Sequence, residues 1–289
     1  MARINPQLMS VSSPKWLMPL FAAASLFLAA ADIRADISQA VPEFGDLRRW
    51  AAFSLGGGIT EADVIDQFTG TTDIYGDVGV AGDGNISLSG SATIHGDLYW
   101  RTPGTLKLSG NAQITGTRHN DAASNLILDN GVSEANLTST HAASFTSSSF
   151  YAGLTNITSS MTLTAQHDRP GNSTVLNLNS IVLGNQSTLT LSGTATDVFI
   201  LNVSNQFSLT SQSKIVLTGG LSWGDVLFNI KGNGSDITLD GQSTLNGILM
   251  ANKRTVSLTG GSLVAGEVIA NKIKLSGSSR IVNPSVASP

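Results

Sequence analysis

The chain is 289 residues long, with 12% charged residues, a net charge of −4 and no cysteine. Without cysteine there is no disulfide scaffold, thiolate catalysis or Cys-ligated metal. An acidic balance with no basic patch excludes nucleic acid as a partner, and 41% apolar residues exclude a simple disordered chain.

Arg3 and Lys15 are followed by an uncharged run, WLMPLFAAASLFLAAA (16–31), which ends on Ala29 and Ala31 in an A-x-A pattern. This reads as a secretory signal peptide over residues 1–31, and places the mature protein outside the cell, secreted or on the cell surface. The run is short for a bilayer span, and no later stretch is long and apolar enough, so no membrane span is expected in the mature chain. Residues 32–71 read as an N-terminal segment. In DLRRWAAF (46–53), Leu47, Trp50, Ala51 and Phe53 suit a short helix that caps the end of the strand-rich region beyond it.

From 72 to 282 the pattern has period two and is punctuated by glycine: NISLSG (85–90), TLKLSG (105–110), TLTLSG (188–193), DITLDG (236–241), TVSLTG (255–260) and KIKLSG (272–277). Aliphatic residues alternate with Ser, Thr, Lys or Asp, so one side of each strand is apolar and the other polar. A second half follows many of these units, as in SATIHGDL, NAQITGTR, QSTLNGIL and GSLVAGEV. Leu88 and Leu108 are 20 apart, while Leu239, Leu258 and Leu275 are 19 and 17 apart. This spacing fits one coil of a β-solenoid, in which each repeat buries its apolar side only by stacking on its neighbours. A β-sandwich of short hairpins shares the short strands and glycine turns, but does not require one motif to recur with the same internal spacing. The fold class is therefore mostly β: a β-solenoid with one α-helix lying along it. That helix is expected at about 133–152, where Glu134, Leu137, His141, Phe145 and Ser148 fall at helical spacing and Ser133 offers an N-cap. Residues 283–289 read as a disordered tail.

Residues with catalytic chemistry are sparse. His95, His119, His141 and His167 form no zinc-ligand spacing, and His95 reads as a surface histidine. Asp73, Asp77 and Asp83 share a stretch of turns, but calcium needs six or more oxygen ligands. Asp225, Asp236, Asp240 and Glu267 are the carboxylates that a glycosidase-like pair would draw on. No nucleophile elbow is present, and Gly56-Gly57-Gly58 lacks the lysine of a phosphate loop. No catalytic, cofactor or metal site is assigned, and the expectation is not an enzyme.

WAAFSLGGGIT (50–60), then TDIYGDVGVAGDGNISLSGSATIHGDLY (72–99) with its Gly76-Asp77-Val78-Gly79 pair, resembles the opening of the ice-binding-like domain family and its anchored secreted bacterial relatives. DVFILNVSNQFSLTSQSKIVLTGGLSWGDVLFNIKG (197–232) and STLNGILMANKRTVSLTGGSLVAGEVIANKIKLSG (243–277) are similar to that family's later strands and closing coils. The resemblance covers about residues 45–282. It implies a mostly β fold, a right-handed discontinuous β-solenoid (β-helix) of triangular cross-section with one long α-helix packed alongside, and, as in ice-binding members, a flat face rich in Thr, Ser and Ala. It also implies a C-terminal anchor, which the ending SSRIVNPSVASP is expected to lack. The surface-contact candidates are residues that alternate with core aliphatics: Thr162, Thr164, Thr188, Thr190 and Thr238, joined by Thr93, Thr115 and Thr244. Lys214, Asp236, Lys253, Arg254, Lys272 and Lys274 interrupt the pattern. The first expectation is a non-enzymatic secreted or cell-surface protein with a structural, matrix or adhesive role, and the alternative is an ice-binding protein. The partner is then ice or an extracellular polysaccharide or matrix surface, met by a monomer.

Overall fold

The computed structural model describes residues 37–56, 65–82 and 85–285, all within one unit, Ile33–Pro289. The expected signal peptide at 1–31, Gly57, Gly58, Asp83 and the chain end at 286–289 lie outside the described residues. The chain opens with α1 (Ile37–Ala40), two 3-10 turns (Pro42–Phe44 and Asp46–Arg49) and β1 (Trp50–Ser54). Next come β2 (Ile65–Phe68), β3 (Asp73–Tyr75), β4 (Asp77–Val80), β5 (Asn85–Leu88), β6 (Thr93–His95), β7 (Leu98–Trp100), β8 (Leu106–Leu108), β9 (Gln113–Ile114) and β10 (Arg118–His119). The long helix α2 (Ala122–Ser144) follows. After it come β11 (Asn156–Ile157), β12 (Met161–Thr164), β13 (Ser173–Leu183), β14 (Thr188–Ser192), β15 (Val198–Leu209) and β16 (Lys214–Thr218). The last strands are β17 (Val226–Ile230), β18 (Ile237–Leu239), β19 (Thr244–Leu258), β20 (Leu263–Leu275) and β21 (Arg280–Val282).

These strands pair in parallel into three faces of one solenoid. The first face runs β10, β7, β4, β1, β20, β19, β17, β15, β13. The second runs β8, β5, β2, β20, β19, β18, β15, β13, β11. The third runs β9, β6, β3, β21, β20, β19, β16, β14, β12. The longer strands turn a corner and serve two faces. Inward Ile, Leu and Val fill the interior, among them Ile74, Ile94, Leu163, Leu189, Ile215, Leu245, Val264 and Ile281. The turn glycines stack on one another: Gly110 (φ 69°) sits on Gly90 (φ 71°), and a Cβ on Gly110 would lie 2.7 Å from the Gly90 carbonyl oxygen. Both the positive φ and the lack of room require glycine there.

The order of coils is not the order of the chain. The chain starts in the middle of the stack at β1 and builds outward to β10. It then crosses to the far end and builds back to β20 and β21, which close against β1 and β3. The crossover is α2. Its 23 residues span ~34 Å at 1.5 Å per residue, against ~38 Å for eight steps of about 4.8 Å between nine strands. The helix expected at 133–152 therefore starts at Ala122 and ends at Ser144. Its N-cap is Asp121, not Ser133: the Asp121 carboxylate accepts from the Ser124 N–H at 2.7 Å and hydroxyl at 2.6 Å. These bonds hold its pKa below the ordinary aspartate value.

Asparagines on the first face anchor this helix. Asn177, Asn202, Asn229 and Asn252 donate from Nδ2 to the carbonyls of Phe145 (2.9 Å), Ala142 (2.8 Å), Ser139 (3.0 Å) and Ala135 (2.8 Å). Asn202 also donates to Asn177 Oδ1 (3.0 Å), and Asn229 to Asn202 Oδ1 (2.8 Å). The acceptors step by three or four residues, a rise of ~4.5–6 Å, which matches the strand spacing of about 4.8 Å. Beyond them the helix comes so close that Gly131 touches Phe53. A Cβ there would lie 2.7 Å from the ring, and one on Gly79, on the other side of Phe53, would lie 2.5 Å away.

From β1 to β15 the first face is thus buried on both sides, which is why its strands there read as nearly unbroken apolar runs. WAAFS is one of them, with all five residues buried. Trp50–Phe53 is accordingly not a capping helix. Only Asp46–Arg49 is a helical turn, and β1 lies in the middle of the stack between β4 and β20. The expected tail also begins inside the fold. Asn283 is 0% exposed, with Nδ2 at 3.2 Å from the Arg48 carbonyl, 3.1 Å from that of Trp50 and 3.4 Å from Glu267 Oε1. It joins the two ends of the chain at this seam. Burial pushes the Glu267 carboxyl well above the ordinary glutamate pKa, against the opposing pull of Arg48 and Asn283.

Replacing Asn202 with Ala strips partners from Asn177 and Asn229 together. It is expected to cost about 2–3 kcal/mol in urea unfolding, whereas Ser133→Ala stays within about 0.5 kcal/mol. Glu267 sets a pH dependence. Its contribution is fully present below the unfolded carboxyl pKa of about 4.3 and declines as pH rises above it, because the unfolded carboxyl ionises first. Urea midpoints from pH 4 to 8 should show Glu267→Gln pulling ahead of the native protein as pH rises. A native protein that instead gains on the variant would mean an ionised Glu267 held by Arg48.

Candidate functional site

The strand register sorts the candidate threonines by face. Seven of the eight lie on the third face. Thr162 and Thr164 are on β12, Thr188 and Thr190 on β14, Thr244 on β19 and Thr93 on β6, with Thr115 just past β9. Thr238 is the exception. It projects from the second face in a row with Ser208, Ser257 and Lys274.

On the third face, β12, β14 and β16 form a grid. Thr162 aligns with Thr190 and Val216, and Thr164 with Ser192 and Thr218. Thr188 aligns with Lys214 and Thr244, and its N–H donates to the Ser160 hydroxyl at 2.9 Å. Thr162 and Thr164 are exposed, and Thr188, Thr190 and Ser192 are half-buried between neighbours. The central row continues through Asn246, Ala265 and Val282 before it meets Tyr75, His95 and Thr115. Six coils of that row, from Thr162 to Val282, carry short uncharged side chains. In a flanking row, Lys214, Arg280 and Asp73 are the charges.

The interrupting charges fall elsewhere for the most part. Asp236, Asp240, Lys272 and Lys274 project from the second face, together with Lys107. Lys253 is exposed at a corner. Arg254 is not an outer-face residue: it is 2% exposed and donates to the carbonyls of Gly232 (3.0 Å), Ser204 (3.0 Å), Lys231 (2.6 Å) and Asn205. It closes a corner across neighbouring coils. Sequence periodicity could not show this, because corner residues stand outside the in–out alternation.

The carboxylates do not gather into a cleft. Asp225 is buried in a capping box with Ser222, Glu267 is in the seam, and Asp236 and Asp240 lie on the second face. His95 pairs with Asp73 at 3.1 Å, and His119 with Asp97 at 3.3 Å. Asp77 accepts from the Asp97 N–H at 2.9 Å. Among the described residues no group of three or more His, Asp or Glu side chains could hold a metal ion, and no helix is long and apolar enough to cross a membrane.

The residues missed from sequence are the non-threonine members of the rows: Val216, Asn246, Ala265, Val282 and Tyr75. Their signal lies in the second half of each repeat, where the residue after the central aliphatic (TIH, TLN, LVA) points outward on the third face.

The backbone is similar to solved ice-binding proteins. A glycosylated ice-binding protein from an Arctic yeast matches over 89% of this chain and 97% of its own, with 18% identity and a TM-score of 0.59. One from the Antarctic ascomycete Antarctomyces psychrotrophicus matches over 85% and 98%, with 17% identity and a TM-score of 0.52. One from an Antarctic biological consortium matches over 83% and 89%, with 17% identity and a TM-score of 0.53. Comparison with curated proteins yields no match. The family model described as Ice-binding-like matches residues 60–280, and with that span, most of its 289 residues, the chain belongs to the Ice-binding-like family of non-enzymatic β-solenoid proteins.

Proposed function

We propose that this is a secreted protein that adsorbs to ice through the threonine grid of the third face. The register of β12, β14 and β16 carries the reading. It aligns Thr162, Thr190, Thr164, Ser192, Thr218 and Thr188 into a lattice with steps of about 4.8 Å between strands and ~6.6 Å along them. Threonine is stiff at χ1, and the parallel ladder beneath holds each Cβ in place. Many weak contacts of methyl and hydroxyl groups to an ordered surface then add without an ordering cost. The second face is less suited, because Lys107, Lys274, Asp236 and Asp240 project from it and would keep their own hydration. The solved relatives support the same reading, since each of them is an ice-binding protein. The generic matrix or adhesive role that sequence put first gives way for that reason. Secretion rests on the leader pattern at 1–31.

Nanolitre osmometry and ice-crystal imaging test the reading. The protein is expected to shape ice and hold a freezing gap. Thr190→Tyr, which raises a bulky ring from the middle of the grid, should remove most of that gap, and Thr238→Tyr on the second face should leave it intact. Normal ice growth in the native protein, or full activity in Thr190→Tyr, would overturn it.

A further inference from the structure

The third face is not level along its whole length. Its central row is short until β3, where Tyr75 rises from it. The Tyr75 ring lies flat on the His95 imidazole of the next coil, with centroids 4.2 Å apart and planes 8° apart. His95 therefore covers one side of the phenol, and the other side looks along the stack over Val282, its partner in register. A hollow of about 470 Å³ opens there, lined by Tyr75, Leu263, Val282, Pro284, Arg280 and Ser278. This is within the ~300–1,000 Å³ of small-ligand sites. A second hollow, of about 440 Å³ over Val216 and Ala265, shares Pro284. The two make an open trough rather than a closed pocket.

The rim of the trough is polar and locally balanced. The Asp73 carboxylate lies 3.1 Å from His95 Nε2 and 3.5 Å from Arg280 Nε. Arg280 is exposed, and the Ser278 hydroxyl pairs with that of Thr71 at 2.6 Å.

We propose that this trough binds a neutral polysaccharide chain. A pyranose ring is amphipathic, with C–H groups on its faces and hydroxyls at its edges. The C–H face would lie on the open side of Tyr75 and over Val282 and Leu263, while the hydroxyls meet Asp73, Arg280 and Ser278. Asp73 offsets the charge of Arg280, so a polyanion gains nothing here, and a purely apolar partner would strip water from the Asp73–Arg280 pair without replacing it. An open trough admits an internal stretch of a polymer. The trough reaches the threonine grid only at Val216 on β16; its Tyr75 end lies on other coils, and binding there does not depend on ice adsorption.

Native gel electrophoresis through separate gels of xylan, dextran, galactomannan, hydroxyethylcellulose and alginate tests the proposal. The protein is expected to be retarded in at least one of the four neutral polymers. Tyr75→Ala and Arg280→Ala should each weaken that binding about tenfold, Tyr75→Phe should retain it, and Thr190→Tyr should not change it. Arg280 is exposed, so its variant stays informative if Tyr75→Ala fails to fold. Retardation by none of the neutral polymers, retardation by alginate alone, or undiminished binding in Arg280→Ala would overturn the proposal.

Discussion

The strands of this solenoid find their backbone partners on the coil above or below. That single requirement, a parallel ladder repeating every ~4.8 Å, makes each position in one coil the local environment of the same position in the next. Inward places fill with Ile, Leu and Val, and turn places fill with glycine that stacks on glycine. Most places against the helix are apolar, among them Val175, Ile200, Leu227 and Ile248, and one row fills with asparagine, where Asn177 and Asn202 each donate to a carbonyl at the helix and accept from the next asparagine. The Asn177–Asn202–Asn229 row works because the rise of three helical residues nearly equals the separation of two strands. The helix is held to the stack at matching intervals along much of its length, not at one point.

The same ladder explains why the chain can be folded out of order. A coil accepts any neighbour with the right three strands, so β1 can sit between β4 and β20 although more than two hundred residues separate it from the latter. A chain that starts in the middle must then cross from one end of the stack to the other, and α2 does this in one rigid element. The seam where the two ends meet is the irregular place in the design. There Glu267 and Asn283 are buried beside the half-buried Arg48, and Asn283 supplies hydrogen bonds that no strand neighbour provides.

Where the alternation of side chains is local, the sequence could be read directly: the strands of the second and third faces, their glycine turns and the solenoid they imply. Where a residue answers to a distant coil, it could not. Trp50–Phe53 suits a helix locally but is a strand with both sides buried. Arg254 looks like a solvent charge but faces four carbonyls around a corner. Leu137 and Ser133 drew the helix to the wrong register because its buried side is made of Leu128 and five small residues, Ser124, Gly131, Ala135, Thr138 and Ala142, which carry little apolar signal. Threonines were visible one by one, but which of them share a face depends on register across coils of unequal length.

The three faces are left with different freedoms. The first is committed to the helix, and any outward residue there must fit against it. The second carries lysines and aspartates close together, so its water is bound to charge. The third presents short side chains at lattice spacing over β12, β14 and β16, with Thr162 and Thr164 exposed and Thr188, Thr190 and Ser192 half-buried between neighbours. Its grid ends where Tyr75 rises from the row and the Asp73–Arg280 pair appears beside it. A surface selected only for flatness would have no use for a phenol ring standing on an imidazole. Under the two proposals, that step in the face, placed next to an apolar floor, separates two kinds of contact on one rigid scaffold: a pavement for an ordered surface, and a trough for a chain.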